Sequence, residues 1–168
     1  SSRVGVVASP FVDESYEKGE DFAVDTSTFE NFVFLTNLLD RLSATDGKVL
    51  IDGGHGQFQA DYGLSAEDTA YFQRYLEGVG IAYDQVNTIS DTNLSQARAL
   101  LVTPPKEGWT DGELATLRSF RDNGGAVVLL GHSGATTAAR DNLNYVAYDL
   151  GTDLRLNGGS VTDASNNV

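Results

Sequence analysis

The sequence predicts one three-layer α/β domain, a mostly parallel sheet with helices on both faces. Three observations predict it. Val, Ile and Leu runs recur without polar alternation, as strands buried on both faces require. Helical periods alternate with those runs, and the connections are too long for hairpins. An apolar fraction of 40% over 168 residues is enough for one core.

Taken in order, RVGVVASP at 3–10 reads as a strand ended by a Ser-Pro turn. The stretch from Phe11 to Asp25 is acidic and aperiodic, a surface loop. Its strip of Glu17, Glu20, Asp21 and Asp25 lacks the spacing of a calcium loop and reads as a solvated face. Ser27 and Glu30 form a capping box for a helix carrying Phe32, Leu35, Leu39 and Leu42 at helical spacing. KVLID at 48–52 is a strand that runs into GGHGQF. Ser65 and Asp68 frame the start of a helix that reaches Val79, with Phe72, Leu76 and Val79 on one side.

Two further strands follow, IAYDQV at 81–86 and ARALLVT at 97–103, the second stopped by Pro104 and Pro105, which cannot donate to a ladder. Thr110 and Glu113 cap a helix with Leu114, Leu117 and Phe120 inward. AVVLLG at 126–131 is the next strand and leads into HSGATTAA. A last helix from Asn142 to Leu150 turns Leu143, Val146, Ala147 and Leu150 inward and exposes Asn144 and Asp149. The tail is irregular apart from one candidate strand. The chain is thus a single domain, 1–168, with an N-terminal strand and helix in 1–46 and the main α/β core in 47–168.

Composition narrows the function classes. The formal net charge is -13, and only three lysines are present, so the phosphate-tracking surface of a nucleic-acid binder is excluded and an anionic membrane disfavoured. Sixteen Asp against eight Glu describe a surface of short hydrated carboxylates suited to concentrated salt, where their repulsion is screened. Zero cysteine excludes disulfides, thiolate metal sites and a cysteine nucleophile. No apolar run has the length of a membrane span, and the opening SSR reads as a processed chain or an excised piece.

Candidate site residues gather where strands end. In DGGHGQ, His55 lies three residues after Asp52, and in GHSG His132 follows Gly131, so both histidines belong at one rim together with TPP. The expected ligand-binding set is Asp52, Gly54, His55, Gln57, Pro104, His132 and Ser133, with the glycines permitting close approach. Asp52, His55 and His132 offer one carboxylate and two imidazoles to a metal as an alternative, although no compact metal signature is present. GHSGA is close to a nucleophile elbow, which makes Ser133, His55 and Asp52 a second alternative, a serine hydrolase in which Asp52 orients the base. The plainer reading makes Ser133 a helix cap. Neither a dinucleotide fingerprint nor a Walker loop occurs, and no cofactor is expected.

From Lys48 to Asn157 the order KVLIDGGHGQF, ARALLVTPP, TDGELATLRSFRDNGGAVVLLG and NLNYVAYDLGTDLRLN resembles the class I glutamine amidotransferase-like superfamily. Within it, the sequence is similar to an uncharacterised haloarchaeal branch of surface or secreted proteins related to gliding-motility and intraflagellar-transport modules. The resemblance implies a flavodoxin-like sandwich. It also implies a cysteine at the turn after AVVLLG and a later histidine, and this chain has neither, so glutaminase activity is not expected. What remains is a non-catalytic binding or scaffolding domain of a halophilic protein, at the cell surface or outside the cell. Its expected partner is a small molecule or a protein, a second copy of the chain included, and a structural assembly module is the further alternative. The segment RVGVVASPF...ENFVFLTNLLDRL resembles the closing strand and helix of such a domain placed first, as in a circular permutation; completion of the same sheet is the favoured arrangement, and completion of another chain's sheet the alternative.

Overall fold

A computed structural model describes residues 3–14, 30–59, 64 and 67–159. Five parallel strands form one sheet: β1 (Val4–Val7), β2 (Lys48–Asp52), β3 (Tyr83–Val86), β4 (Ala97–Val102) and β5 (Ala126–Leu130). Their spatial order is β1-β5-β4-β2-β3, and every neighbouring pair is parallel. The helices are α1 (Asn31–Leu42), α2 (Ala70–Gly78), α3 (Asp91–Leu94), α4 (Asp111–Asp122) and α5 (Thr137–Asp149). This is the three-layer α/β sandwich that the apolar runs and helical periods predict, in the flavodoxin-like form that the resemblance implies.

Both faces of the sheet are covered because the central strands β2, β4 and β5 are apolar along their buried middles, at Val49–Ile51, Ala99–Val102 and Ala126–Leu130. In β2, β4 and β5 successive side chains point to opposite layers. Leu50, Leu100, Val102, Val127 and Leu129 pack with Leu114, Leu117 and Phe120 of α4 and Leu143, Val146 and Ala147 of α5. Val49, Ile51, Ala99, Leu101, Ala126, Val128 and Leu130 pack with Phe32, Leu35 and Leu39 of α1 and Phe72 and Leu76 of α2. The edges differ. β1 lies alongside β5 of its own chain, from Val4 opposite Val127 to Val7 opposite Leu130. β3 ends the other side with exposed Asp84 and Gln85, polar side chains that discourage pairing with a further strand.

Several helix ends depart from expectation for local reasons. Ser27 and Ser65 lie outside the described residues, as do Glu17, Glu20, Asp21 and Asp25 of the acidic strip. Glu30 is the N-cap of α1 in a left-handed conformation, φ 54, and makes no side-chain cap bond, so it is not the third residue of a capping box. Thr69, not Ser65, stands at the N-cap of α2. Val79, expected inward, comes after the last turn and is exposed. At α4 the predicted box is present, with Thr110 Oγ accepting from Glu113 N at 3.3 Å and Thr110 N donating to Glu113 Oε2 at 2.9 Å.

The last helix starts at Thr137, five residues before the expected Asn142, because its first turn is TTAAR, small and polar and without an apolar period. Asn144 and Asp149 are only partly exposed, since each is held by another segment. Asn144 exchanges two 2.8 Å hydrogen bonds with the backbone of Leu156, which docks residues 151–159, where no strand forms. Asp149 takes two 2.6 Å bonds from Arg118. No helix among the described residues is long and apolar enough to cross a membrane.

Candidate functional site

The order of the strands fixes where a site can form. From β2 the chain passes through α2 to β3 on one side, then returns to β4 on the other side of β2 and continues into α4 on the opposite face. The loops after β2 and β4 therefore diverge, which is the switch-point crevice of an open parallel sheet. Glu107 N donates to His55 O at 3.0 Å and ties the two loops together there.

Asp52, the last residue of β2, is fully buried. Its Oδ1 accepts from Gly54 N at 3.0 Å, and its Oδ2 lies 2.7 Å from His55 Nδ1 and accepts from Gln57 Nε2 at 2.5 Å. Gln57 Oε1 in turn accepts from His55 N at 2.9 Å, so the loop closes on its own carboxylate. His55 Nε2 lies 3.3 Å from Glu113 Oε1, and the imidazole stacks on Trp109 with ring centroids 3.9 Å apart. One carboxylate does two things here: Glu113 Oε2 completes the capping box of α4 while Oε1 faces His55.

Burial lowers the pKa of His55, but the hydrogen bond and charge of Asp52, joined by those of Glu113, outweigh it and hold the imidazole above its ordinary 6.5. Burial raises the Glu113 carboxyl, but its bonds from Thr110 and the His55 charge bring it below its ordinary 4.5. The signs define a window. The His55 contribution to stability is fully present below 6.5 and is lost as pH rises through the raised value. The Glu113 contribution is present above 4.5 and is lost as pH falls through the lowered value. Urea midpoints measured across both limits should therefore fall at either end, and Glu113→Gln should remove its own acid contribution but only make the alkaline limb shallower, since Asp52 stays on His55. A midpoint that is level through the alkaline limb of the wild-type protein would contradict the pairing.

The structure separates the expected ligand set into two groups. Asp52, His55 and Gln57 form the closed network just described. Gly54 belongs to it for packing reasons: a Cβ there would lie 2.4 Å from the backbone oxygen of Asn87, so the glycine serves the approach of two loops. Pro104, His132 and Ser133 instead line a separate cavity of about 320 Å³ beyond the end of β5. His132 Nδ1 accepts from Gly134 N at 2.9 Å, and burial, only partly offset by the charge of Asp13, keeps its pKa below the ordinary 6.5.

This division bears on both chemical alternatives. No group of three His, Asp or Glu side chains able to hold a metal occurs among the described residues, so Asp52, His55 and His132 are not a ligand set. For a triad, His55 would have to present a ring nitrogen to Ser133, but Nδ1 is held by Asp52 and Nε2 faces Glu113. Ser133 itself lacks the strained backbone of an elbow, since Glu30 is the only non-glycine residue with positive φ among the described residues. Nor is Ser133 the helix cap; Thr136 Oγ accepts from Ala139 N at 3.2 Å and fills that role. Sequence reasoning recognised Glu113 only as a cap and passed over Trp109, the single tryptophan, one residue before the capping box.

Comparison with known proteins adds one finding. No curated protein and no solved structure matches the chain. The IFT52 GIFT domain family matches residues 64–165, which takes in α2 through α5 and the tail with Trp109, Glu113, His132 and Ser133, and leaves β1, α1, β2 and the DGGHGQF loop outside. With well over half its length in that match, the chain belongs to the IFT52 GIFT domain family.

Proposed function

We propose that this chain is a non-catalytic binding and scaffolding domain. One observation carries the reading: His55 is committed on both ring nitrogens and on one ring face, so it is not free to serve Ser133 as a base. The absence of cysteine removes the nucleophile that the amidotransferase-like resemblance would require. Family membership supports the same role, since it links the chain to intraflagellar-transport modules. The surplus of 13 negative charges supports a setting in concentrated salt, and the resemblance to surface or secreted proteins supports a place at the cell surface or outside the cell.

The test is hydrolytic inertness. Wild-type protein and Ser133→Ala should cleave a chromogenic ester at the same rate within about twofold, and neither should be labelled by a serine-reactive fluorophosphonate. Removal of a working triad serine costs on the order of 10⁴-fold or more in rate. A drop of that size in Ser133→Ala, or stoichiometric labelling at Ser133, would establish the hydrolase instead.

A further inference from the structure

We infer that the cavity beyond the end of β5 binds a small molecule by an oxyanion headgroup, a carboxylate or a phosphate, with Arg140 and Arg155 as its charged anchors. The inference goes beyond scaffolding and rests on the chemistry of the lining. The chain as a whole carries a net charge of -13, yet among the described residues that line this cavity the charged side chains are two arginines, with no acid. Asp13, whose charge acts on His132, is not among the lining residues.

Among the described residues, both guanidinium groups are positioned without being neutralised. Arg140 Nη2 donates to Thr137 Oγ at 3.3 Å, and Arg155 Nη1 donates to the carbonyl oxygens of Thr152 and Leu154 at 2.5 and 2.6 Å. Arg155 also lies 5.7 Å from the ring centroid of Tyr148. Neither arginine has a carboxylate partner among the described residues, and each keeps further N–H donors for a planar or tetrahedral oxyanion. One more feature favours an anion: the loop that carries Ser133 leads into the positive end of the 13-residue helix α5. Gly158 lets the tail pass close to Arg140, where a Cβ would lie 3.2 Å from Nη1.

The remaining lining suits a small organic body. Ser133 and Asn157 supply polar groups, and Pro104, Leu143 and Leu156 an apolar side. A volume of about 320 Å³ is at the lower end of the range of small-ligand pockets, so the ligand is small.

The experiment titrates the full 168-residue chain with inorganic phosphate and, separately, succinate, at constant ionic strength made up with chloride, and follows backbone amide shifts. Saturable shifts confined to residues 131–140 and 152–159 are expected with at least one of the two anions, and the stronger binder tells phosphate from carboxylate. Arg140→Gln and Arg155→Gln should each weaken that binding by about tenfold or more, the loss of a charge-assisted hydrogen bond. No saturable shift with either anion, shifts spread over the surface, or wild-type affinity in both variants would overturn the inference. If a variant fails to fold, the wild-type shift map decides alone. An inert protein that ignores both anions would sink the cavity and leave the scaffolding reading standing, whereas an active Ser133 would do the reverse.

Discussion

Asp52→Ala should lower the unfolding free energy by about 3–5 kcal/mol, the loss seen when one partner of a buried ionic network is removed. Asp52 is fully buried and receives hydrogen bonds from Gly54 N and Gln57 Nε2 while holding His55 Nδ1 at 2.7 Å. Alanine leaves those groups facing a small void, and each buried donor without a partner costs about 1–3 kcal/mol. Asp52→Asn keeps the volume and one acceptor oxygen but turns an NH2 group toward a donor, so it should restore only part of the loss. Urea denaturation checks this as a lower midpoint at unchanged slope. Fluorescence of the single tryptophan, Trp109, follows the same site because the His55 ring stacks on it. A loss below about 1 kcal/mol would mean that the network adds little and that loop closure holds His55 by other means.

That network shows what the sequence can and cannot display. Asp52 and His55 are legible because they sit three residues apart at the end of an apolar run, within reach of one side-chain hydrogen bond. Glu113 is legible as a cap, which is a local device, but its second oxygen is aimed by the adjacency of β2 and β4, and strand order leaves no mark in residue spacing. The same ignorance of strand order joined His55 to His132. Both follow strands at the C-terminal rim, but β4 stands between β2 and β5. Two strand spacings are about 10 Å, while a metal draws imidazole nitrogens to about 2 Å. The fold was legible for the opposite reason, since burial of β2, β4 and β5 on both faces leaves continuous apolar runs that need no knowledge of neighbours. Where the apolar signal lapses, as in TTAAR at the start of α5, the boundary was missed.

Phe72→Ala tests whether the segment outside the family match belongs to the same cooperative unit. Phe72, on α2, has no exposed surface; its ring meets Phe32 of α1 at 5.1 Å between centroids and the edge of Tyr83 of β3 at 6.1 Å. Truncating a buried phenylalanine costs about 3–5 kcal/mol, since the cavity left behind adds to the lost transfer energy. Phe72 lies within residues 64–165 and Phe32 outside them, so the pair spans the limit of the match. A double-mutant cycle with Phe32→Ala should give a coupling of about 0.5–1.5 kcal/mol, the range for aromatic pairs in contact. Both single variants should unfold in one transition, because α1 covers the layer that includes Val49, Ile51, Val128 and Leu130, and its loss would expose strands on both sides of β4. A coupling near zero, with an early transition confined to Phe32→Ala, would instead make β1 and α1 an appendage to a core that folds without them. The parallel register of β1 with β5 and the single apolar layer shared by α1 and α2 argue for one unit, in which the N-terminal strand closes an edge that the rest of the chain leaves open.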